Sequence, residues 1–136
     1  MSLADCRIVN LSRIEDARGA LTVIEGQADI PFDVNRVYWL YDVPGGATRA
    51  GHAHKTLRQL IVAVSGSCDV MLDDGRERQK FHLNRSFFGL YVHPMIWREI
   101  DNFSSNSVLL VLASLHYDES DYFRDFESFS KAVMGD

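Results

Sequence analysis

His52 and His54 stand with one residue between them within PGGATRAGHAHKTLRQLIVAVSG, with four residues separating His54 from Gln59 and glycines framing the segment at 46 and 66. Side chains two apart on a strand leave it on the same side, and Gln59 on the following strand can face them across an interior. The three then form one site. Imidazole titrates near neutral pH and can both take and return a proton, so a metal-free pair of histidines suits proton transfer. A bare His-x-His is common by chance, whereas one held in register with two glycines and an amide is not. His82, His93 and His116 stand alone.

The elements that must position these groups are short. Turn signals recur at Arg18-Gly19, Pro31, Pro44-Gly45-Gly46, Gly66, Asp73-Asp74-Gly75, Gly89, Pro94 and Asn102. Between them, runs rich in Val, Ile, Leu, Tyr and Phe predict strands at 21–25, 36–43, 57–65, 67–72, 78–83, 87–92 and 108–114. Many short strands with punctuating turns imply a sandwich or barrel. Asp74-Gly75 marks a hairpin, because both residues tolerate the positive φ of a tight turn. Leu60–Val64 and Val108–Ala113 are apolar on both faces, so each should be covered on both sides, by a partner chain or by a C-terminal helix. That helix is predicted from Asp121 to Val133 with Ser120 as N-cap, since Tyr122, Phe126, Phe129 and Val133 recur at helical spacing, a stripe that suits core packing.

A chain of 136 residues suits one domain, 1–136, and no run of about eighteen apolar residues is present to cross a membrane. The start MSLADCRIV lacks a secretory pattern, which predicts a cytoplasmic protein with Cys6 and Cys68 reduced. A net charge of −5 argues against a broad nucleic-acid surface. Eleven of the fourteen basic residues are Arg, a bias compatible with recognition of phosphate or with a salt-bridged surface.

The Gly46–Gly66 spacing resembles the first motif of the cupin superfamily, in which two histidines and a glutamate point into a small barrel. The stretch GLYVHPMIWREIDNF resembles the second motif, but Trp97, Arg98 and Glu99 stand where a third histidine would be sought. Gln59 replaces the carboxylate, and an Arg beside a dication would be repelled, so no metal is expected. The resemblance implies an all-β fold, a cupin (RmlC-like) jelly-roll barrel with a short C-terminal helix.

Over about four-fifths of its length, the chain is more specifically similar to the sugar nucleotide 3,4-ketoisomerases, the WxcM-like or FdtA/QdtA-like proteins. The stretches that carry the likeness are RGALTVIEG, IPFDVNRVYWLYDVPGGATRAGHAHKTLRQLI, GLYVHPMIWREIDNFS and LVLASLHYDESDYFRDFESF. Ala50, where the family often has Gly, is a small departure. The resemblance implies a metal- and cofactor-independent isomerase that moves the ketone of dTDP-4-oxo-6-deoxyglucose from C4 to C3, supplying a transaminase in the synthesis of 3-amino-3,6-dideoxy sugars. It implies catalytic roles for His52, His54 and Tyr38, with His54 preferred as the carbon base. Arg49, Arg18, Lys55, Gln59 and Arg98 become candidates for substrate contacts. It also implies a homodimer with exchanged N-terminal strands, which would carry Arg18 to the partner's site. Two alternatives are a cupin-type epimerase, whose usual His–Asp pair and Tyr acid are not found in register here, and a non-catalytic sugar-binding cupin.

Overall fold

The computed structural model describes residues 2–135. Among the described residues twelve strands, one α-helix and two short 3-10 helices follow in chain order. The first six strands are β1 (Arg7–Asn10), β2 (Ser12–Asp16), β3 (Gly19–Val23), β4 (Arg36–Leu40), β5 (Arg49–His54) and β6 (Gln59–Ser65). After these come β7 (Cys68–Asp73), β8 (Arg78–Leu83), β9 (Phe88–Val92), β10 (Trp97–Asp101), β11 (Val108–Ala113), β12 (Tyr122–Phe123) and α1 (Phe126–Met134). One sheet runs β1-β9-β6-β11-β4 and the second β12-β5-β10-β7-β8, with β2 and β3 forming a separate hairpin. Strands distant in the chain, such as β5 and β10, lie side by side, as in the expected jelly roll.

Alternation along each strand puts the core between the two sheets. Ile61, Leu90, Leu109 and Val111 from the first sheet meet Val70, Leu72, Leu83 and Ile100 from the second. Within this chain, the outer face of the two-sided strands β6 and β11 is covered not by the helix but by residues of the N-terminal third. Leu11, Ile30 and Phe32 of the same chain pack there on Leu60, Val62 and Leu112. The helix instead packs Phe129 against Ala53 and Trp97, on the outside of the second sheet.

The helix starts five residues later than its apolar spacing predicts. Asp125 caps it, accepting from the Ser128 N–H at 2.8 Å, and Gly135 closes it in the left-handed region at φ 79°. Asp121 is committed elsewhere, and Tyr122 and Phe123 pair with His54 and Ala53 of β5. Two glycines also differ in their reasons. Gly66 turns the chain at φ 70°, where a Cβ would lie 2.8 Å from the Ser107 backbone. Gly89 lies within β9 rather than in a turn, because a side chain there would strike Val62 and the Ile61 carbonyl.

Candidate active site

A cavity of about 510 Å³ fills the part of the barrel interior that the core leaves open, within the range of small-ligand sites. Inward positions of five strands line it: Tyr38 of β4, His52 of β5, Gln59 of β6, Arg98 of β10 and Val111 of β11. Beside His52, the register of β5 on β10 slips: Arg98 faces His52 and Glu99 faces Ala50, leaving Gly51 extra. Ala50 and Gly51 both have positive φ, 71° and 70°, so this bulge bends the strand just before the histidines. The histidine rings do share one side, with centroids 4.9 Å apart and planes at 84°. Tyr122 of β12 covers both, 5.1 Å from the His52 ring and 4.3 Å from that of His54.

The two imidazoles differ in access. His52 lines the cavity, whereas His54 is fully buried behind it. His54 Nδ1 lies 3.2 Å from Asp121 Oδ2, and the Nε2 atoms of both rings are buried without a hydrogen-bond partner among the described residues. Burial, reinforced by the positive charge of Arg98, pushes His52 down to about 3 and His54 down to about 2. Both rings are therefore neutral at physiological pH.

Arg98 is 1% exposed and, among the described residues, faces no carboxylate in an ion pair. Its Nη1 donates to Gln59 Oε1 and its Nη2 to the Ile96 carbonyl at 3.1 Å. Burial lowers it to about 10, so it stays protonated. Since guanidinium only donates, Gln59 must turn its oxygen to Arg98 and its NH₂ to Tyr38, whose hydroxyl accepts at 3.0 Å. The Tyr38 proton is thereby left free to point elsewhere. Burial also raises the Tyr38 hydroxyl, which keeps it protonated. Among the described residues no group of three or more His, Cys, Asp or Glu converges as a metal cage, and the amide oxygen of Gln59 is engaged by a cation.

Arg49 lines the cavity as expected. Arg18 does not: it is 90% exposed at the β2–β3 turn and pairs with Asp16 at 2.7 Å. Lys55 also lies outside, its ammonium donating to the Ser120 carbonyl at 2.9 Å and lying over the Phe123 ring. Arg98 sits neither in a surface salt bridge nor at the rim, but on the floor. Sequence reasoning misses Arg36, Tyr117, Tyr122 and Arg124, which all line the cavity, and Asp121 behind it. Arg36 could be found by period-two spacing from Tyr38. The other four come from a segment read as loop and helix. A His–Asp pair, not found in register from the sequence, is therefore present as His54–Asp121.

Comparison with known proteins agrees with this geometry. The family described as WxcM-like, C-terminal (FdtA) matches residues 4–134. The chain is 45% identical over 127 residues to the TDP-4-oxo-6-deoxy-alpha-D-glucose-3,4-oxoisomerase of Aneurinibacillus thermoaerophilus, covering 93% of this chain and 91% of that one. A His-to-Asn variant of the 3,4-ketoisomerase QdtA from Thermoanaerobacterium thermosaccharolyticum, solved with TDP-4-keto-6-deoxyglucose, superposes with a TM-score of 0.96 at 38% identity. That match covers 98% of this chain and 97% of the other. The rmlC epimerase of Mycobacterium tuberculosis, at 18% identity, TM-score 0.76 and coverage of 90% and 69%, shares the fold alone. A family match over nearly the whole chain, joined by a relative of such identity and coverage, establishes that this chain belongs to the WxcM-like, C-terminal (FdtA) family.

Proposed function

We propose that this protein is a 3,4-ketoisomerase of TDP-4-keto-6-deoxyglucose, the activity and ligand named for its relatives. The observation that carries the mechanism is a neutral imidazole on the cavity wall beside a buried guanidinium that forms no ion pair among the described residues.

The hydrogen on C3, next to the C4 ketone, becomes acidic when the developing oxyanion is stabilised. His52 takes that proton. The C3–H electron pair forms the C3–C4 double bond and the C4 carbonyl becomes an enediolate oxygen, held by Arg98 and by the free Tyr38 hydroxyl. The imidazolium exchanges its proton with solvent and then protonates C4, while the O3 proton passes to O4 and the C3 carbonyl forms. C4 is reduced and C3 oxidised, with no external electron carrier. His52 replaces His54 as the favoured carbon base because His54 does not reach the cavity wall. The engagement of Gln59 by Arg98 supports a reaction without a metal.

At the cavity mouth, Arg36 has Nε and Nη2 buried and unpartnered among the described residues, while Arg49 and Arg124 stand nearby on the lining. These three are assigned to the substrate diphosphate. We also retain the homodimer with exchanged N-terminal strands. It is supported by the protruding β2–β3 hairpin, with Ile14 and Leu21 more than half exposed, and by Val37 and Trp39 bare on the neighbouring sheet. Arg18 at the hairpin tip would then serve the partner's cavity, and sedimentation velocity of the purified protein tests the assembly.

The activity is tested by incubating the protein with TDP-4-keto-6-deoxyglucose in heavy water and following the sugar by NMR. A 3-keto product carrying deuterium at C4 is expected. Deuterium at C5, or at C3 with the ketone still at C4, would identify an epimerase instead, the reading that the His54–Asp121 pair keeps in view.

A further inference from the structure

His54 is buried and does not line the cavity, yet it is held from several sides. Its backbone carbonyl accepts from the Met95 N–H at 2.7 Å, and the next residue, Lys55, donates its N–H to the Asp121 carbonyl at 2.8 Å. The Asp121 side chain is itself clamped. Oδ1 accepts from the Thr56 N–H at 2.9 Å and the Thr56 hydroxyl at 2.7 Å, and Oδ2 accepts from the Leu57 N–H at 3.2 Å beside His54 Nδ1. A carboxylate surrounded by donors offers acceptor capacity only. The neutral imidazole can satisfy it in one tautomer alone, with the proton on Nδ1. The lone pair then falls on Nε2, on the opposite edge of the ring, which is buried and unpartnered.

We propose that Asp121 is a positioning residue for the isomerisation: anchored by the Thr56–Leu57 turn, its carboxylate keeps the His54 proton on Nδ1 and leaves Nε2 as a fixed acceptor behind His52. The site thereby holds one imidazole at the substrate and a second, of set polarity, in contact with the first. The same clamp docks β12, so the choice of tautomer and the placement of Tyr122 over both rings depend on one side chain.

The inference rests on the isomerase reading. The test is long-range ¹⁵N–¹H NMR of the histidine-labelled full chain together with steady-state kinetics on TDP-4-keto-6-deoxyglucose. In the wild type, His54 Nδ1 should give a protonated signal and Nε2 an unprotonated one. Asp121→Asn retains an oxygen for Thr56 but turns an NH₂ group toward His54, so the proton should move to Nε2 and kcat fall at least about a hundredfold with KM retained. Asp121→Glu, still an acceptor, should keep the proton on Nδ1 and turn over faster than Asp121→Asn or His54→Asn. A wild-type proton on Nε2, a switched tautomer with wild-type kcat, or a Glu variant no faster than those two overturns the proposal. A wild-type enzyme that fails to isomerise the sugar overturns the functional reading instead, and the wild-type spectrum still reports on the tautomer.

Discussion

The floor and the rim of the cavity both carry arginine, yet the two ends use its charge in opposite ways. On the floor, Arg98 is enclosed and satisfied only by an amide and a backbone carbonyl. At the rim, Arg124 is half exposed, binds Glu119 through two hydrogen bonds of 2.9 and 2.6 Å, and lies 3.8 Å over the Tyr122 ring. Burial pulls Arg98 down, while the carboxylate raises Arg124. A charge left without a counter-ion in a poorly polarisable interior acts at a distance, whereas a paired one in water is screened. Arg98 accordingly depresses both histidines and stands ready for an oxyanion, while Arg124 is suited to holding a group that already carries charge.

The largest effect should come from breaking the floor at its base. His52→Asn is expected to lower kcat on the order of 10³-fold or more while TDP binding, measured calorimetrically, persists. Weakened TDP binding of similar size would place His52 among the anchors instead. Arg98→Met should cost about 10²–10³ in kcat, the scale of losing one preorganised oxyanion donor. It should also raise the histidines part of the way, burial being the larger cause of their depression, so the acidic limb of the kcat/KM profile should move to higher pH than in the wild type, whose profile should stay flat near neutral pH.

The same neutral histidines predict how stability responds to acid. Their folded values, about 3 for His52 and about 2 for His54, lie below the ordinary value of 6.5. As pH falls below about 6.5 the unfolded chain takes up protons that the folded one refuses, so stability is full above that pH and declines toward the folded values. Each histidine contributes a slope of about 1.4 kcal/mol per pH unit in that window. Urea titrations between pH 7 and 5 should show the loss, and a His52→Asn, His54→Asn double variant should flatten it. Rim changes should be smaller and of another kind. Arg36→Ala is expected to raise KM roughly tenfold with kcat little altered, consistent with loss of a hydrogen bond to a charged group. Glu119→Gln should leave the melting temperature unchanged and matter only through the order of Arg124.

Whatever depends on local spacing was legible in the residues alone. Period two put His52 and His54 on one side of β5, and Asp74-Gly75 placed the β7–β8 hairpin, because strand geometry repeats every second residue whatever surrounds it. The residues that resemble a known family went further and marked the barrel and its chemistry. Helical spacing misled at Tyr122, where the apolar stripe continues but the backbone pairs with β5. The N-terminal cover on β6 and β11 was equally invisible, since apolar surface attracts any apolar neighbour and names none. The burial of Arg98, the turn of the Gln59 oxygen toward it and the reach of Asp121 to His54 across 67 positions of chain arise only from the folded arrangement. Those outcomes depend on which groups meet once water is excluded, and hydrogen bonds and charges become selective only there.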